Sequence, residues 1–229
     1  MSDDVSDVGG EQQEAFRGVL RELRTWDSGL ARFDTGDVPD VPLALFQRWF
    51  VEAAGAGQVE PHAMVLATVD GAGRPDVRTL LLHDADERGW HFASHATSGK
   101  GRQLAARPWA ALGFYWPAQG RQVRVRGAVS AAGAEESRAD LAVRSTGALA
   151  AALTGRQSEV LGSAGELAHA SQAAWERARA EPDAPAPTWT AYVLDADEVE
   201  FFQGDAQRRH VRLRYRRTAE GWVRELLWP

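Results

Sequence analysis

Between residues 92 and 127 the chain reads FASHATSGKGRQLAARPWAALGFYWPAQGRQVRVRG, which puts Ser94, Thr97, Ser98 and Lys100 into one short connection. Gln122, Arg124 and Arg126 then alternate with valines. Hydroxyls, the N–H groups at the start of a short helix and an ammonium are the groups that hold a phosphate. Ser98 stands where it would cap such a helix through Ala106, with Pro108 beyond its end. The same residues also fit a capped helix with a solvated lysine, and this stretch alone does not separate the two. Arg78 adds weight to the anion site. It leads into VRTLLLH, whose apolar run marks burial, and a cation entering such a strand needs an anionic partner.

Composition narrows the chemistry. With 229 residues the chain suits one generous domain, and a formal charge of −6 argues against a broad basic face for nucleic acid or an anionic membrane. Any anion must be held locally. No cysteine is present, which removes disulfides, thiolate metal sites and cysteine nucleophiles. His91 and His95 are four apart, a metal spacing only on a helix, and they fall on a strand end, so no metal is expected. There is neither a GxGxxG opening a helix nor a GxxxxGK[ST] loop. Asp34-Thr35-Gly36 reads as a turn in an acidic connection rather than a protease loop. The acidic opening lacks the regions of a signal peptide, and no apolar run approaches the length of a membrane span, so a cytoplasmic protein is expected.

The elements that must position these residues follow from periodicity. Residues 1–13 read as a mobile tail, after which Phe16, Val19, Leu20 and Leu23 form the stripe of an amphipathic helix. Asp40 is placed to cap a second helix, with Phe46, Trp49, Phe50 and Ala53 on one face and Gly55 and Gly57 at its end. From residue 63, AMVLATVD, DVRTLLLHD and WHFAS read as strands separated by the turns GAGRP and DADERG. AALGFYW and RQVRVRGAV make a hairpin across PAQG. Residues 134–180 are alanine-rich and predict two or three helices broken around Gly155 and Gly162. EPDAPAPT is a rigid connector to three last strands, giving an α+β plan around an antiparallel barrel with flanking helices.

EPHAMVLATVDGAGRPDVRTLLLHD, SGKGRQLAARPWAALGFYW, GRQVRVRG, GRQSE and VEFFQGDAQRRHVRLRY resemble, in order and spacing, the flavin-dependent pyridoxine/pyridoxamine 5′-phosphate oxidase family. The resemblance runs from about Val41 to Pro229. It implies a tail and helix over 1–40, and over 41–229 a split β-barrel oxidase domain that includes C-terminal dimerisation strands. It further implies a homodimer that binds FMN at the subunit interface, with the segment around Gln157 and Ser158 reaching a flavin held mainly by the partner's barrel. The positions that match the family's flavin contacts are Arg78, Thr79, Leu80, Leu81, Leu82, Ala93, Ser94, Ser98, Gly99, Lys100, Gln122, Gln157, Ser158 and Arg212. Phe202 stands where a tryptophan is usual. Arg208 and His210 match the pair that closes over the substrate, and they are the candidate catalytic residues.

The departures lie at the substrate end. Family members that oxidise pyridoxine phosphate carry a lysine where this chain has His83, a tyrosine near Asp140 or Leu141 and a serine near Ala148. Only the arginine is kept, as Arg144, so most of the substrate-phosphate grip is missing and His83 and Arg144 remain as substrate-binding candidates. The family's phenazine-biosynthesis branch, which SGKGRQL, ARPWA, YW and RQSE also resemble, likewise lacks that lysine. The resemblance then implies an FMN-dependent oxidase that passes a hydride from a reduced heteroaromatic or amine substrate to the flavin, with O2 as final acceptor and H2O2 as product. A pyridoxine/pyridoxamine phosphate oxidase and a non-catalytic flavin-binding protein stand as alternatives.

Overall fold

Among the described residues, alternation of apolar and polar positions after residue 62 builds nine antiparallel strands that curl into a split barrel beside six helices, an α+β fold. The computed structural model describes residues 4–23, 29, 30 and 32–229. Helix α1 (Asp4–Glu22) and helix α2 (Pro42–Gly55) come first, followed by β1 (Ala63–Val69), β2 (Pro75–Leu81), β3 (Asp84–Asp86) and β4 (Gly89–His95). Helix α3 (Gly99–Ala106) leads into the hairpin β5 (Trp109–Trp116) and β6 (Arg121–Ala131). Helices α4 (Ala134–Ala142), α5 (Thr146–Thr154) and α6 (Ala164–Ala180) precede β7 (Trp189–Gln203), β8 (Val211–Thr218) and β9 (Gly221–Leu227).

The sheet runs β2-β1-β5-β6-β7-β4-β3, and β8 and β9 branch from β7. The branch is possible because β7 is 15 residues long. Its first part pairs with β4 over Trp189–Leu194, and its last part pairs with β8 over Glu198–Gln203. Gly127 sits at the register shift that bends β6 over this fork, where a Cβ would lie 1.9 Å from the Asp195 carbonyl oxygen. Only glycine permits that approach.

Helix α2 closes the barrel. Leu45, Phe46, Trp49 and Ala53 are buried, and Phe46 meets Trp90 and Phe114 edge-on at centroid distances of 5.5 and 5.0 Å. Each such ring contributes about 1.5–3 kcal/mol by leaving water. A smaller core of Leu141, Leu149, Ala150, Ala152 and Ala178 holds α4, α5 and α6 together.

Four local expectations change. The helix begins at Asp4, so residues 4–13 are helical rather than tail, while residues 1–3 lie outside the described residues. Its stripe of Phe16, Val19, Leu20 and Leu23 is exposed. Val41, not Asp40, is the N-cap of α2 and supplies no side-chain bond, because its side chain carries no acceptor, while Pro42 suits the first helical position, where no N–H is needed. The DADERG turn contains β3, which pairs Asp84–Asp86 with Gly89–His91. Finally, the VRTLLLH run is only partly buried. β2 is the last strand on its side of the sheet, and Val77 and Leu81 point outward.

Candidate functional site

Ser98 does cap α3, its hydroxyl accepting from the Gly101 N–H at 3.2 Å. Gly101 lets the first turn fold tightly, since a Cβ there would sit 2.3 Å from the Ala96 carbonyl oxygen. This geometry turns Lys100 inward, where it is buried. Its ammonium donates to Gln157 Oε1 at 2.8 Å, Ser94 Oγ at 3.0 Å and Ser98 Oγ at 3.5 Å. Ser94 also donates to Gln157 Oε1 at 3.1 Å, and Ser158 accepts from the Gly99 N–H at 3.1 Å with its own backbone at φ 71°. Among the described residues no carboxylate lies within ion-pair distance of Lys100. Burial, followed by the charge of Arg78, pulls its pKa from 10.5 to about 8, while Asp76 opposes them. Lys100 is also the only lysine among the 26 Lys and Arg residues of the chain.

Gln157 and Ser158 therefore meet Ser94, Gly99 and Lys100 of their own chain. The turn after α5 thus folds back onto the start of α3 within one chain.

Arg78 finds its anionic partner beside it. Its guanidinium donates to Asp76 Oδ2 at 2.5 Å, Gln103 Oε1 at 3.0 Å, Thr68 Oγ1 at 2.5 Å and the Leu66 carbonyl at 3.3 Å. Thr79, Leu80 and Leu81 pair on one side with Val65, Met64 and Ala63, and Leu82 donates to the His62 carbonyl. As an edge strand, β2 leaves alternate backbone N–H and C=O groups unpaired on its other side. Ala93, next to Ser94 on β4, pairs with Ala191 on β7.

A second cluster forms around Asp140 on α4. Its Oδ1 accepts from Arg144 Nη2 at 2.5 Å and from His83 Nδ1 at 3.1 Å, and its Oδ2 accepts from Trp189 Nε1 at 3.1 Å. Burial works against the carboxylate's charge, yet the three donors prevail and hold its pKa well below the ordinary value. The clusters adjoin: the Trp189 ring stands edge-on to His95 at 5.7 Å, next to Ser94.

The third group lies at the β6, β7 and β8 crossing. Gln122, Phe202 and Arg212 occupy one cross-strand row, and the Phe202 ring lies 5.2 Å from that of His210. His210 Nδ1 accepts from the Asp205 N–H at 3.0 Å, so the ring's remaining proton sits on Nε2. Arg208 holds φ at 65° in the same turn. Arg212 is committed elsewhere, to Glu200 Oε1 at 2.8 Å, Glu200 Oε2 at 3.1 Å and the Trp228 carbonyl at 2.8 Å.

Sequence reasoning assigned no role to Asp76, Gln103, Asp140 and Glu200, which hold the site's cations, nor to Trp189, which holds Asp140. Two left a signal. Asp76 and Arg78 are two apart on one strand face, and Asp140 and Arg144 are four apart on a helix, which are both contact spacings. Trp189 and Glu200 come from β7, far along the chain, and nothing local announces them.

Residues 51–178 match the family described as Pyridoxamine 5'-phosphate oxidase, and residues 189–229 match the Pyridoxine 5'-phosphate oxidase C-terminal dimerisation region. A pyridoxine/pyridoxamine 5'-phosphate oxidase of Azotobacter vinelandii is 45% identical over 195 residues, covering 84% of this chain and 91% of that protein. One from Burkholderia lata is 44% identical over 202 residues, covering 88% and 94%. Among solved structures, PhzG from Burkholderia lata in complex with tetrahydrophenazine-1-carboxylic acid superposes with a TM-score of 0.81 at 31% identity, covering 87% of this chain and 99% of that one.

Proposed function

The chain belongs to the pyridoxamine 5'-phosphate oxidase family, whose profiles and relatives span most of its length, and we propose that it is an FMN-dependent oxidase of a reduced heteroaromatic or amine substrate that carries no phosphate. The observation that carries the cofactor reading is Lys100. A buried ammonium surrounded by neutral oxygens, with its pKa pulled down, is stabilised by an incoming anion. The donor set fits a terminal phosphate: Lys100, the Ser94 and Ser98 hydroxyls and the N–H groups opening α3 converge on one side. Gln157 and Ser158 close that side. Arg78, with four donor bonds already made, acts on the phosphate chiefly through its field.

When bound, FMN supplies the two-electron acceptor, and O2 then takes the electrons to give H2O2. The chain's own residues bind and orient. Unpaired backbone groups along 79–82 offer hydrogen bonds to a flavin edge, Gln122 adds an amide, and Phe202 supplies an aromatic wall. Arg208 and His210 present donors to the substrate, His210 through Nε2. Val65, Val77, Leu81, Trp109 and Tyr115 leave an exposed apolar face on β2, β1 and β5, which suits a second copy of the chain in a homodimer.

The test is anaerobic reduction of the reconstituted yellow protein by pyridoxine 5'-phosphate, pyridoxamine 5'-phosphate and a dihydrophenazine carboxylic acid side by side. Bleaching by the last, and poor bleaching by the phosphates, is expected. Turnover of pyridoxine phosphate with a micromolar KM would instead favour the second reading, a pyridoxine/pyridoxamine phosphate oxidase, to which the 45% identical relative points. Recovery of FAD, or of no flavin at all, would overturn the cofactor.

A further inference from the structure

His83 and Arg144 both end on Asp140 rather than on open solvent. Three elements converge there: Asp140 is on α4, with Arg144 one turn later, His83 comes from the link between β2 and β3, and Trp189 opens β7. The Asp140 side chain is only 16% exposed, and Arg144 Nε is buried without a partner, so among the side chains described Asp140 alone anchors this guanidinium.

Charge then decides what the cluster accepts. Asp140 and Arg144 cancel, so the pair presents no net charge to a ligand. Grip on a phosphate dianion needs charge-assisted donors left over. Here Arg144 Nη2 and His83 Nδ1, the two nitrogens aimed at the carboxylate, are already spent, the unpartnered Arg144 Nε is buried away from the surface, and Ala148 supplies no hydroxyl. A dianion brought to this point would also meet the fixed charge of Asp140 at short range.

We propose that Asp140 is the specificity-determining residue at the substrate end of the site, an internal carboxylate that takes up Arg144 and His83 so that a neutral or singly charged ring is accepted and a phosphate dianion is turned away. The proposal rests on the oxidase reading above, together with the family resemblance that makes His83 and Arg144 substrate-binding candidates. Asp140 acts through its neighbours and is a positioning residue.

The experiment titrates pyridoxal 5'-phosphate, as probe, into the FMN-loaded protein by calorimetry, for the unchanged chain, for Asp140→Asn and for Asp140→Asn combined with Arg144→Ala. Asn keeps the size and one acceptor for Trp189 while removing the charge. Asp140→Asn should bind the probe at least about tenfold more tightly, the scale of one restored charge-assisted bond. Adding Arg144→Ala should erase the gain, which a loss of packing would not mimic. In steady-state turnover of pyridoxine phosphate the gain should appear in KM rather than kcat. Should Asp140→Asn fail to fold by circular dichroism, Asp140→Tyr, the residue type of the phosphate-binding family members, carries the same expectation. Equal affinity in the unchanged chain and in the folded variant overturns the proposal. The two readings fail separately. Absence of flavin from every sample would overturn the oxidase reading, while the same titration on the flavin-free chain would still read the Asp140 effect.

Discussion

Two cation clusters lie a few side chains apart in this protein, and they are built oppositely. Lys100 is buried among neutral oxygens and keeps its charge uncompensated, at the cost of a pKa pulled down to about 8. Arg144 and His83 are gathered on a carboxylate whose own pKa is pushed down by its donors. The first arrangement stores unfavourable energy that a ligand anion relieves, whereas the second has supplied its own anion in advance. An anion site is thus recognised by the charge left over, not by the number of cations present.

The comparison can be broken most severely at Asp140. Replacing it by alanine leaves a half-buried guanidinium without a counter-ion and takes the acceptor from His83 and Trp189, and urea unfolding should show a loss of about 3 kcal/mol. Its contribution also has a pH signature. Because the folded pKa lies below the unpaired value of 3.8, the stabilisation is whole above that value and is lost as pH falls from there through the folded value. Asp140→Asn should flatten that acid limb, and an unchanged limb would mean that another carboxylate dominates it.

At the other cluster, Lys100→Ala should weaken FMN by about 1.5–3 kcal/mol, the worth of a hydrogen bond to a charged group. Fluorescence titration of the flavin measures it directly, and unaltered affinity would return Lys100 to a structural role. Lys100→Met should at the same time stabilise the flavin-free protein by roughly 1 kcal/mol in urea, because an uncompensated buried charge is removed. That opposition between affinity and stability sharpens the contrast, since both quantities should fall together at Asp140 if the carboxylate were merely structural support for flavin binding.

FMN affinity should also depend on pH with a definite sign. The phosphate becomes a dianion above about pH 6, and the ammonium of the free site loses its proton above about 8, so binding is tightest between the two and weakens as pH rises further. Constant affinity from pH 7 to 10 would show that Lys100 does not face the phosphate. The smallest effect belongs to Ser98→Ala, which removes the cap of α3 and should cost about 1 kcal/mol in stability.

Local chemistry was readable from the sequence, and long-range pairing was not. The cap at Ser98, the breaks at Gly155 and Gly162 and the alternation along β6 depend on neighbours within a few residues, and each appears where the spacing puts it. The burial of VRTLLLH was misjudged because exposure depends on where β2 lies in the sheet order, which no periodicity encodes. The stretch at Asp140 and Leu141 stood out for a missing tyrosine. Its role as the carboxylate that collects His83 and Trp189 needed partners 57 and 49 residues away to be folded against it.

The solitary lysine makes the protein its own reporter. Expression with lysine labelled by carbon-13 at Cε would place label in one side chain alone, that of Lys100, without altering its amine. The signal from Lys100 would follow loss of its proton without any neighbouring amine to confuse it, and its chemical shift would record each arrival and departure of an anion at the start of α3. A site that most proteins would hide among many similar amines is here a single spectroscopic line.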